Sequence, residues 1–315
     1  MKRRELLAGS AAFTLLNSYC LSAVAAAYPS KAIQTIVPFG AGGGNDILLR
    51  LIAKYAQKHL GAALTIENKP GAGGQIGWTL LAKAKPNGYT IAASSLPSMI
   101  MVKALRKNVP FELSDFTFVA SVQSDPIVWV VKNDSPFKTA ADVVAAARSG
   151  KVNVSGDGPQ SNVQLQELIA EKTVGFKTNF VSFNGSGKAL TALLGGKVDL
   201  CAATLSAANK QLANGLRILT VFDKVVIDGV PTADAAFGKS IPVVGTAMRG
   251  ICAPKGLPKN VLRTLENGIK AVCEDPDFLA DAKKLKLDIA FIGSRETEAI
   301  VRRVSKLVEE NKSLF

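Results

Sequence analysis

Ile33-Gln34-Thr35-Ile36-Val37-Pro38-Phe39-Gly40-Ala41-Gly42-Gly43-Gly44-Asn45-Asp46 decides the fold class. Residues 33–39 form an apolar, β-branched run of strand length. A glycine-rich turn follows at 40–44, Asn45 or Asp46 can cap a helix, and Ile47, Leu48, Leu51, Ile52, Tyr55 and Leu60 then recur at helical spacing. The same order repeats at once: a strand over 64–67, a second glycine-rich loop over 68–74, a helix over about 75–84, the Asn87-Gly88 turn and a strand over 89–94. Strands alternating with helices predict an α/β chain with a mainly parallel sheet and right-handed crossovers.

Further along, strands are expected over 118–122, 127–131, 152–155, 179–183, 198–202 and 218–222, with helices over 139–148, about 163–172 and up to Leu194. Residues 250–253 read as a strand returning to the first half, and the chain from Pro258 reads as largely helical. A chain of 315 residues exceeds the usual size of one core, so two lobes are expected: 28–124 with 248–315, and 125–247. Glycine-rich turns that lead from a strand into a helix expose unpaired backbone N–H groups, and glycine lets an anion approach them. Three such turns occur, at 42–46, 156–162 and 184–187. In open α/β sheets these turns lie at the carboxyl ends of the strands, where ligands bind. If the first belongs to one lobe and the others to the facing lobe, they can clamp an anion.

Residues 1–27 read as an export signal. Lys2, Arg3 and Arg4 precede an uncharged, mostly apolar stretch over 6–27 that ends in Ala25-Ala26-Ala27, which places cleavage before Tyr28. The stretch is also long enough for an uncleaved membrane anchor, although Asn17, Ser18, Tyr19 and Ser22 interrupt it. Arg3-Arg4-Glu5-Leu6-Leu7 faintly resembles a twin-arginine signal, so both export routes stay open, and Asn17-Ser18-Tyr19 is a poor lipoprotein context for Cys20. Cleavage would leave Cys201, Cys252 and Cys273, an odd number without CxxC spacing, so at least one thiol is unpaired and zinc is not expected.

The net charge of +13 falls to +11 without the signal, because three basic residues and one acid leave with it. Basic residues are scattered and aromatics make up only 6%, so nucleic-acid binding is not expected; the positive field can still draw in anions. Nucleotide motifs fail one by one. Asn45 and Ile76 stand where GxGxxG needs its third glycine, and Gly187-Lys188 is followed by Ala189 instead of Ser or Thr. His59, the single histidine, sits near a helix end beside Lys58, and no GxSxG elbow or metal-ligand cluster is present. Asp275 and Asp277 flank Pro276 as a helix-start signal. An exported enzyme acting on a small organic acid on a similar two-lobed fold stays open as the alternative, since active sites can be assembled from distant residues.

The motifs carry a family resemblance. Val37-Pro38-Phe39-Gly40-Ala41-Gly42-Gly43-Gly44-Asn45-Asp46 resembles the first ligand loop of the substrate-binding receptors of tripartite tricarboxylate transporters, the Bug family. Asn68-Lys69-Pro70-Gly71-Ala72-Gly73-Gly74-Gln75-Ile76-Gly77 is similar to their second signature, and Pro86-Asn87-Gly88-Tyr89-Thr90 to the next turn. Phe183-Asn184-Gly185-Ser186-Gly187, Leu193-Leu194-Gly195-Gly196-Lys197-Val198-Asp199, Gly215-Leu216-Arg217, Pro231-Thr232 and Ala253-Pro254-Lys255-Gly256-Leu257-Pro258 follow in family order, so the resemblance spans the whole mature chain.

The resemblance implies a two-lobed periplasmic binding protein fold, type II-like, with a ligand cleft between the lobes. It implies a monomeric, non-catalytic receptor without cofactor or metal, which closes over a small organic carboxylate and delivers it to membrane permease subunits. Carried over, Phe39, Gly43, Gly44, Asn45 and Asp46 belong to the first grip. Ser155, Gln160, Ser161 and Asn162 belong to the second, joined by Asn184, Gly185, Ser186 and Thr204. Asp46 either caps the helix or touches ligand, and Ser94 and Ser95 either reach the cleft or simply end their strand. The chain also departs from the family: Gly44-Asn45 replaces a small residue followed by Thr or Ser, Val163 stands near a common His, Asn184 takes a place often held by Lys or Arg, and Phe183 replaces a common Tyr. Without that His and that cation, the pocket is expected to suit a monocarboxylate or a ligand with an apolar or aromatic remainder.

Overall fold

The computed structural model describes residues 28–315 apart from Lys151, Asn184, Val225, Val226, Asp228, Gly245, Thr246 and Lys286. The export-signal reading therefore lies outside the described residues. The chain opens with β1 (Ile33–Val37), α1 (Gly44–Leu60), β2 (Leu64–Asn68), α2 (Gln75–Ala82), β3 (Thr90–Leu96), α3 (Ser98–Leu105) and β4 (Phe116–Gln123). It continues through β5 (Ile127–Lys132), α4 (Ala140–Ser149), β6 (Asn153–Asp157), α5 (Asn162–Val174), β7 (Asn179–Phe183) and α6 (Ser186–Leu194). After β8 (Leu200–Thr204), α7 (Leu205–Asn209), β9 (Leu216–Phe222) and α8 (Ala233–Phe237), it returns through β10 (Met248–Pro254). It ends with α9 (Lys259–Glu274), α10 (Pro276–Lys284), β11 (Ile289–Gly293) and α11 (Ser294–Asn311).

Two sheets form two lobes, and they repeat one topology. The first runs β2-β1-β3-β10-β4, with β11 added at the edge beside β4; the second runs β7-β6-β8-β5-β9. Within each, three strands pair in parallel in the order second, first, third. One strand that borders a crossing between the sheets then inserts antiparallel before the last strand: β10 in the first sheet and β5 in the second. The expectation of mainly parallel pairing thus holds for the three-strand halves and gives way where the chain crosses. The two crossings touch, Ala247 N donating to Asp125 O at 3.0 Å.

Helices cover both faces of each sheet, which explains why the strands read as continuous apolar runs. Ile127, Trp129 and Val131 of β5 join one core while Val128 and Val130 join the core on the other face, as a period of two requires. The lobes also share a core: Leu165 and Ile169 of α5 pack in one cluster with Met99 of α3 and Val304 of α11.

Four elements escaped the sequence reading, two of them the five-residue helices α7 and α8. Helix α3 carries Met99, Ile100, Met101 and Val102 in succession, all buried, so it lacks the polar face that gives a helical period. Strand β11 is only partly buried at the sheet edge within a stretch read as helical. Cys201, Cys252 and Cys273 are unpaired and buried, and burial pushes the Cys201 and Cys273 thiols up to about 12.

Glu167 is the most consequential polar group inside the second lobe. It is fully buried on α5, accepts Trp129 Nε1–H at 2.7 Å and faces Glu171 one turn on. Burial pushes its carboxyl up to about 8; Glu171 adds repulsion, and Trp129 and Thr178 pull it back. The folded protein thus keeps a proton that the unfolded chain releases near 4.5, so stability falls as pH rises from about 4.5 to about 8. Glu167→Gln keeps an acceptor for Trp129 and removes the buried acid. Its stability relative to wild type should rise between pH 5 and 8 by up to about 1.4 kcal/mol per pH unit, read by urea denaturation at several pH values.

Candidate functional site

In each sheet the order reverses between its first and third parallel strands, β1 and β3 or β6 and β8, and a crevice opens at the carboxyl ends there. In the first lobe this crevice holds the N-terminus of α1. Gly43 is its N-cap and supplies no side chain, so the first intrahelical bond is Ile47 N to Gly43 O at 2.9 Å. The N–H groups of Gly44, Asn45 and Asp46 have no acceptor among the described residues. These groups concentrate the positive end of a 17-residue helix. Asn45 Oδ1 is buried beside them and has no partner either.

Asp46 points away from that opening and organises the loop. Its carboxylate accepts Gly42 N at 2.9 Å, Arg50 Nε at 3.0 Å and Asn68 Nδ2 at 2.9 Å. Burial works against the charged form, but the Arg50, Gly42 and Asn68 donors outweigh it and hold the carboxyl below its ordinary range. Asn68 also donates to Phe39 O at 3.1 Å and accepts Arg50 Nη2 at 3.0 Å, so the end of β2 is bound to the first loop. Gly77 of α2 completes the support: a Cβ there would lie 2.8 Å from Pro38 Cα. The second glycine signature thus buttresses the first loop from behind.

The cation in the crevice comes from the far end of the chain. Arg249, at the start of β10, pairs with Ser95 on β3 and with Gln123 on β4. Its Nη1 donates to Gln123 Oε1 at 2.9 Å, and no carboxylate among the described residues lies within ion-pair distance of it. The guanidinium lies over Gly44, where an added Cβ would sit 3.0 Å from Cζ. The Gly44 backbone is outside the left-handed region, so the constraint there is room: a side chain at 44 would have to displace the guanidinium. Burial pulls Arg249 below its ordinary range, while the charges of Asp125 and Asp157 push it back.

Asp157 ends β6 on the facing lobe. Its Oδ1 accepts Ser186 Oγ at 2.6 Å, and its Oδ2 has no partner among the described residues. Burial raises the carboxyl above its ordinary range against the pull of Ser186 and Arg249. Ser161 caps α5, accepting Gln164 N at 3.1 Å, and its Oγ donates to Asp157 O at 3.3 Å. Gln160 N donates to Gln164 Oε1 at 2.8 Å. Gly185 is the N-cap of α6 with φ +99°, and Thr204 N approaches Ser186 Oγ at 3.4 Å. A cavity of about 260 Å³ joins the lobes here, with Phe39 and α3 on one side and the Asp157–Asn162 loop on the other.

The structure therefore brings Phe39, Gln160, Ser161 and Asn162 to one cavity, and Gly44 and Ser95 to Arg249. Ser155 lies elsewhere, fully buried with its hydroxyl on Ala189 O at 3.1 Å, and Ser94 is buried opposite Gly250. Asn184 lies outside the described residues. A larger groove of about 680 Å³, between the Ser240–Val243 stretch and α11, contains none of the expected residues. Arg249, Gln123 and Asp157 were missed. Asp157 sits inside the 156–162 turn already marked as a ligand loop, so its acid was open to view. Arg249 carries no local signal, because strand pairing alone brings it to α1.

Two lobes with helix N-termini and a half-buried cation at their facing edges define a solute-binding architecture. Residues 48–310 match the family model described as tripartite tricarboxylate transporter family receptor, and the chain belongs to this family. It is 32% identical over 258 residues to the UPF0065 protein in the TAR-I ttuE-ttuC' intergenic region of Agrobacterium vitis, which covers 79% of this chain and 73% of that protein. The structure superposes on a TctC solute binding protein from Polaromonas with a TM-score of 0.82 at 28% identity, covering 91% of this chain and 100% of the other. It also superposes on MatC from Rhodopseudomonas palustris with bound malate, with a TM-score of 0.64 at 25% identity, covering 91% and 98%.

The hold that Asp46 exerts on the first loop has a measurable consequence. Asp46→Ala strands Gly42 N, Asn68 Nδ2 and Arg50 together and should cost about 2 kcal/mol of stability in urea denaturation. Because the folded carboxyl titrates below its ordinary value of 3.8, its contribution is present above that pH and is lost as pH falls below it, so the gap between wild type and variant should narrow in acid.

Proposed function

We propose that this chain is a periplasmic receptor that captures a small carboxylate between its lobes and hands it to the membrane permease of a tripartite transporter, without catalysing a reaction. The observation that carries this reading is the set of unpaired N–H groups at Gly44, Asn45 and Asp46 with the Arg249 guanidinium lying over Gly44. Backbone donors and a guanidinium together match the geometry of a carboxylate and pull in one direction. The family assignment and the malate bound to MatC point to the same ligand class.

In this reading, residues 28–124 with 248–315 make the first lobe and 125–247 the second, with the signal removed near Ala27. The primary ligand contacts are Gly43, Gly44 and Asn45 on the first lobe and Gln160, Ser161, Asn162, Gly185 and Ser186 on the second. Phe39, Ser95 and Thr204 stand around them. Asp46 acts as the organiser of the first loop, and Ser94 and Ser155 as packing beneath the site. Ligand draws the lobes together about the paired crossings at Asp125 and Ala247.

A thermal-shift screen across mono-, di-, tri- and aromatic carboxylates should give a ligand that raises Tm with concentration, binds at about one per chain and is recovered unchanged. Recovery of a converted product would instead establish the exported-enzyme alternative. Gly44→Val should weaken that ligand at least tenfold, about 1.4 kcal/mol, by driving the Arg249 guanidinium off the helix end. Gly61→Ala, at the C-cap of α1 with φ +73°, should leave affinity unchanged while lowering stability by about 1 kcal/mol. Calorimetry on both folded variants reads the difference.

A further inference from the structure

The charges that meet at the cleft do not balance, and the imbalance defines a ligand. Arg249 is the cation, and the two carboxylates that act on it are Asp125 and Asp157. Asp125 is satisfied within the second lobe, its Oδ1 accepting Ser206 N at 2.9 Å and its Oδ2 accepting Ser206 Oγ at 2.5 Å. Asp157 is satisfied on one side only. Ser186 holds Oδ1 at 2.6 Å and leaves Oδ2 without a partner among the described residues, on a residue that lines the cavity between the lobes. The rest of that cavity supplies little to neutralise it. Its other lining residues are apolar or uncharged polar apart from Arg106, which is exposed and donates its Nη1–H to Ala72 O at 2.6 Å.

A carboxylate placed on the α1 N-terminus and Arg249 would therefore sit on the positive side of the cleft and look across at a carboxylate oxygen in need of a donor. A second ligand carboxylate reaching toward Asp157 would meet like charge in a partly desolvated site, where repulsion is screened least. An ammonium in the same place would supply the missing hydrogen bonds and neutralise Asp157. We propose that this receptor selects a monocarboxylate bearing an ammonium group, with the carboxylate on Arg249 and the α1 N-terminus and the ammonium on Asp157 Oδ2, and that it discriminates against dicarboxylates. The proposal rests on the carboxylate-receptor reading above and narrows its ligand class to amino acids.

Three matched ligand pairs test it, each exchanging one carboxylate for an ammonium: β-alanine against succinate, 4-aminobutyrate against glutarate, and valine against isopropylmalonate. Affinities are measured by calorimetry for wild type, Asp157→Asn and Arg249→Gln, each first shown to be folded by circular dichroism. The tightest of the six ligands should be an amino acid that binds wild type at least tenfold better than its matched diacid. Asp157→Asn keeps an acceptor for Ser186 and should shrink that ratio at least tenfold, weakening the amino acid while strengthening the diacid. A merely structural role for Asp157 would weaken both alike. Arg249→Gln should weaken both members of every pair.

A diacid as the tightest wild-type ligand would overturn the proposal without any variant. An unchanged ratio in folded Asp157→Asn, or unchanged affinities in folded Arg249→Gln, would also overturn it, and each of these results leaves the receptor reading intact. If these six ligands and the carboxylates of the thermal-shift screen all fail to bind wild type, the receptor reading itself falls and takes the proposal with it.

Discussion

Strand β10 runs antiparallel between β3 and β4, and the cleft depends on that insertion. The chain leaves the first sheet after Gln123, builds the second, and re-enters the first as β10, so the edge where ligand loops gather is closed by residues more than a hundred positions away. Hydrogen-bond register places Arg249 beside Ser95 and Gln123, and the guanidinium then lies over Gly44 at the start of α1. Gly250 shows how tight the insertion is, since a Cβ there would lie 2.1 Å from Ala120 O. The second sheet uses the same device with β5, and the two crossings that result are bonded to each other at Asp125 and Ala247. The paired crossings and the placing of Arg249 over Gly44 thus follow from one topological choice.

Around this frame the charges have separate duties. Asp46, Arg50 and Asn68 bond to one another and, through Gly42 N and Phe39 O, to the first loop, which they shape. The Asp46 carboxylate is engaged there, and the N–H groups of Gly44, Asn45 and Asp46 have no acceptor among the described residues. Arg249 and Asp157 are different, because each keeps hydrogen-bonding capacity unused: Arg249 beyond Gln123, and Asp157 beyond Ser186. Groups of this kind are costly to bury unless something completes them. Glu167 makes the contrast clear, since it is fully enclosed and relieves its burial by holding a proton.

Much of the fold was legible because helices cover both faces of each sheet, so burial writes an apolar run for each strand and a glycine turn for each strand end. The strand 127–131 was readable for that reason, and so was the helix after Gly44; the edge strand 179–183, which has no buried residue, showed instead by Phe180, Val181 and Phe183 between two turns. Helix α3 was not, because burial of successive residues erases the polar face on which periodicity depends. Loop composition marked residues that the fold does bring to the crevice between the lobes: Gly44 of the first loop, and Gln160, Ser161 and Asn162 of the second. Ser155 illustrates the limit, since its place in the strand–turn–helix pattern was right for a ligand loop while its hydroxyl turned inward to Ala189 O.

By itself the sequence determined the α/β class, the two-lobed fold and the family, all of which rest on local composition and order. It also showed that a customary His and cation are replaced near the second grip, which left the cleft without an evident charge. Only the tertiary structure supplied that charge, from Arg249, and set Asp157 against it. Pairing between β10, β3 and β4 is a long-range contact without a signature in any short window of sequence, so the residue that gives the cleft its cation could be found only after the chain had been folded back onto itself.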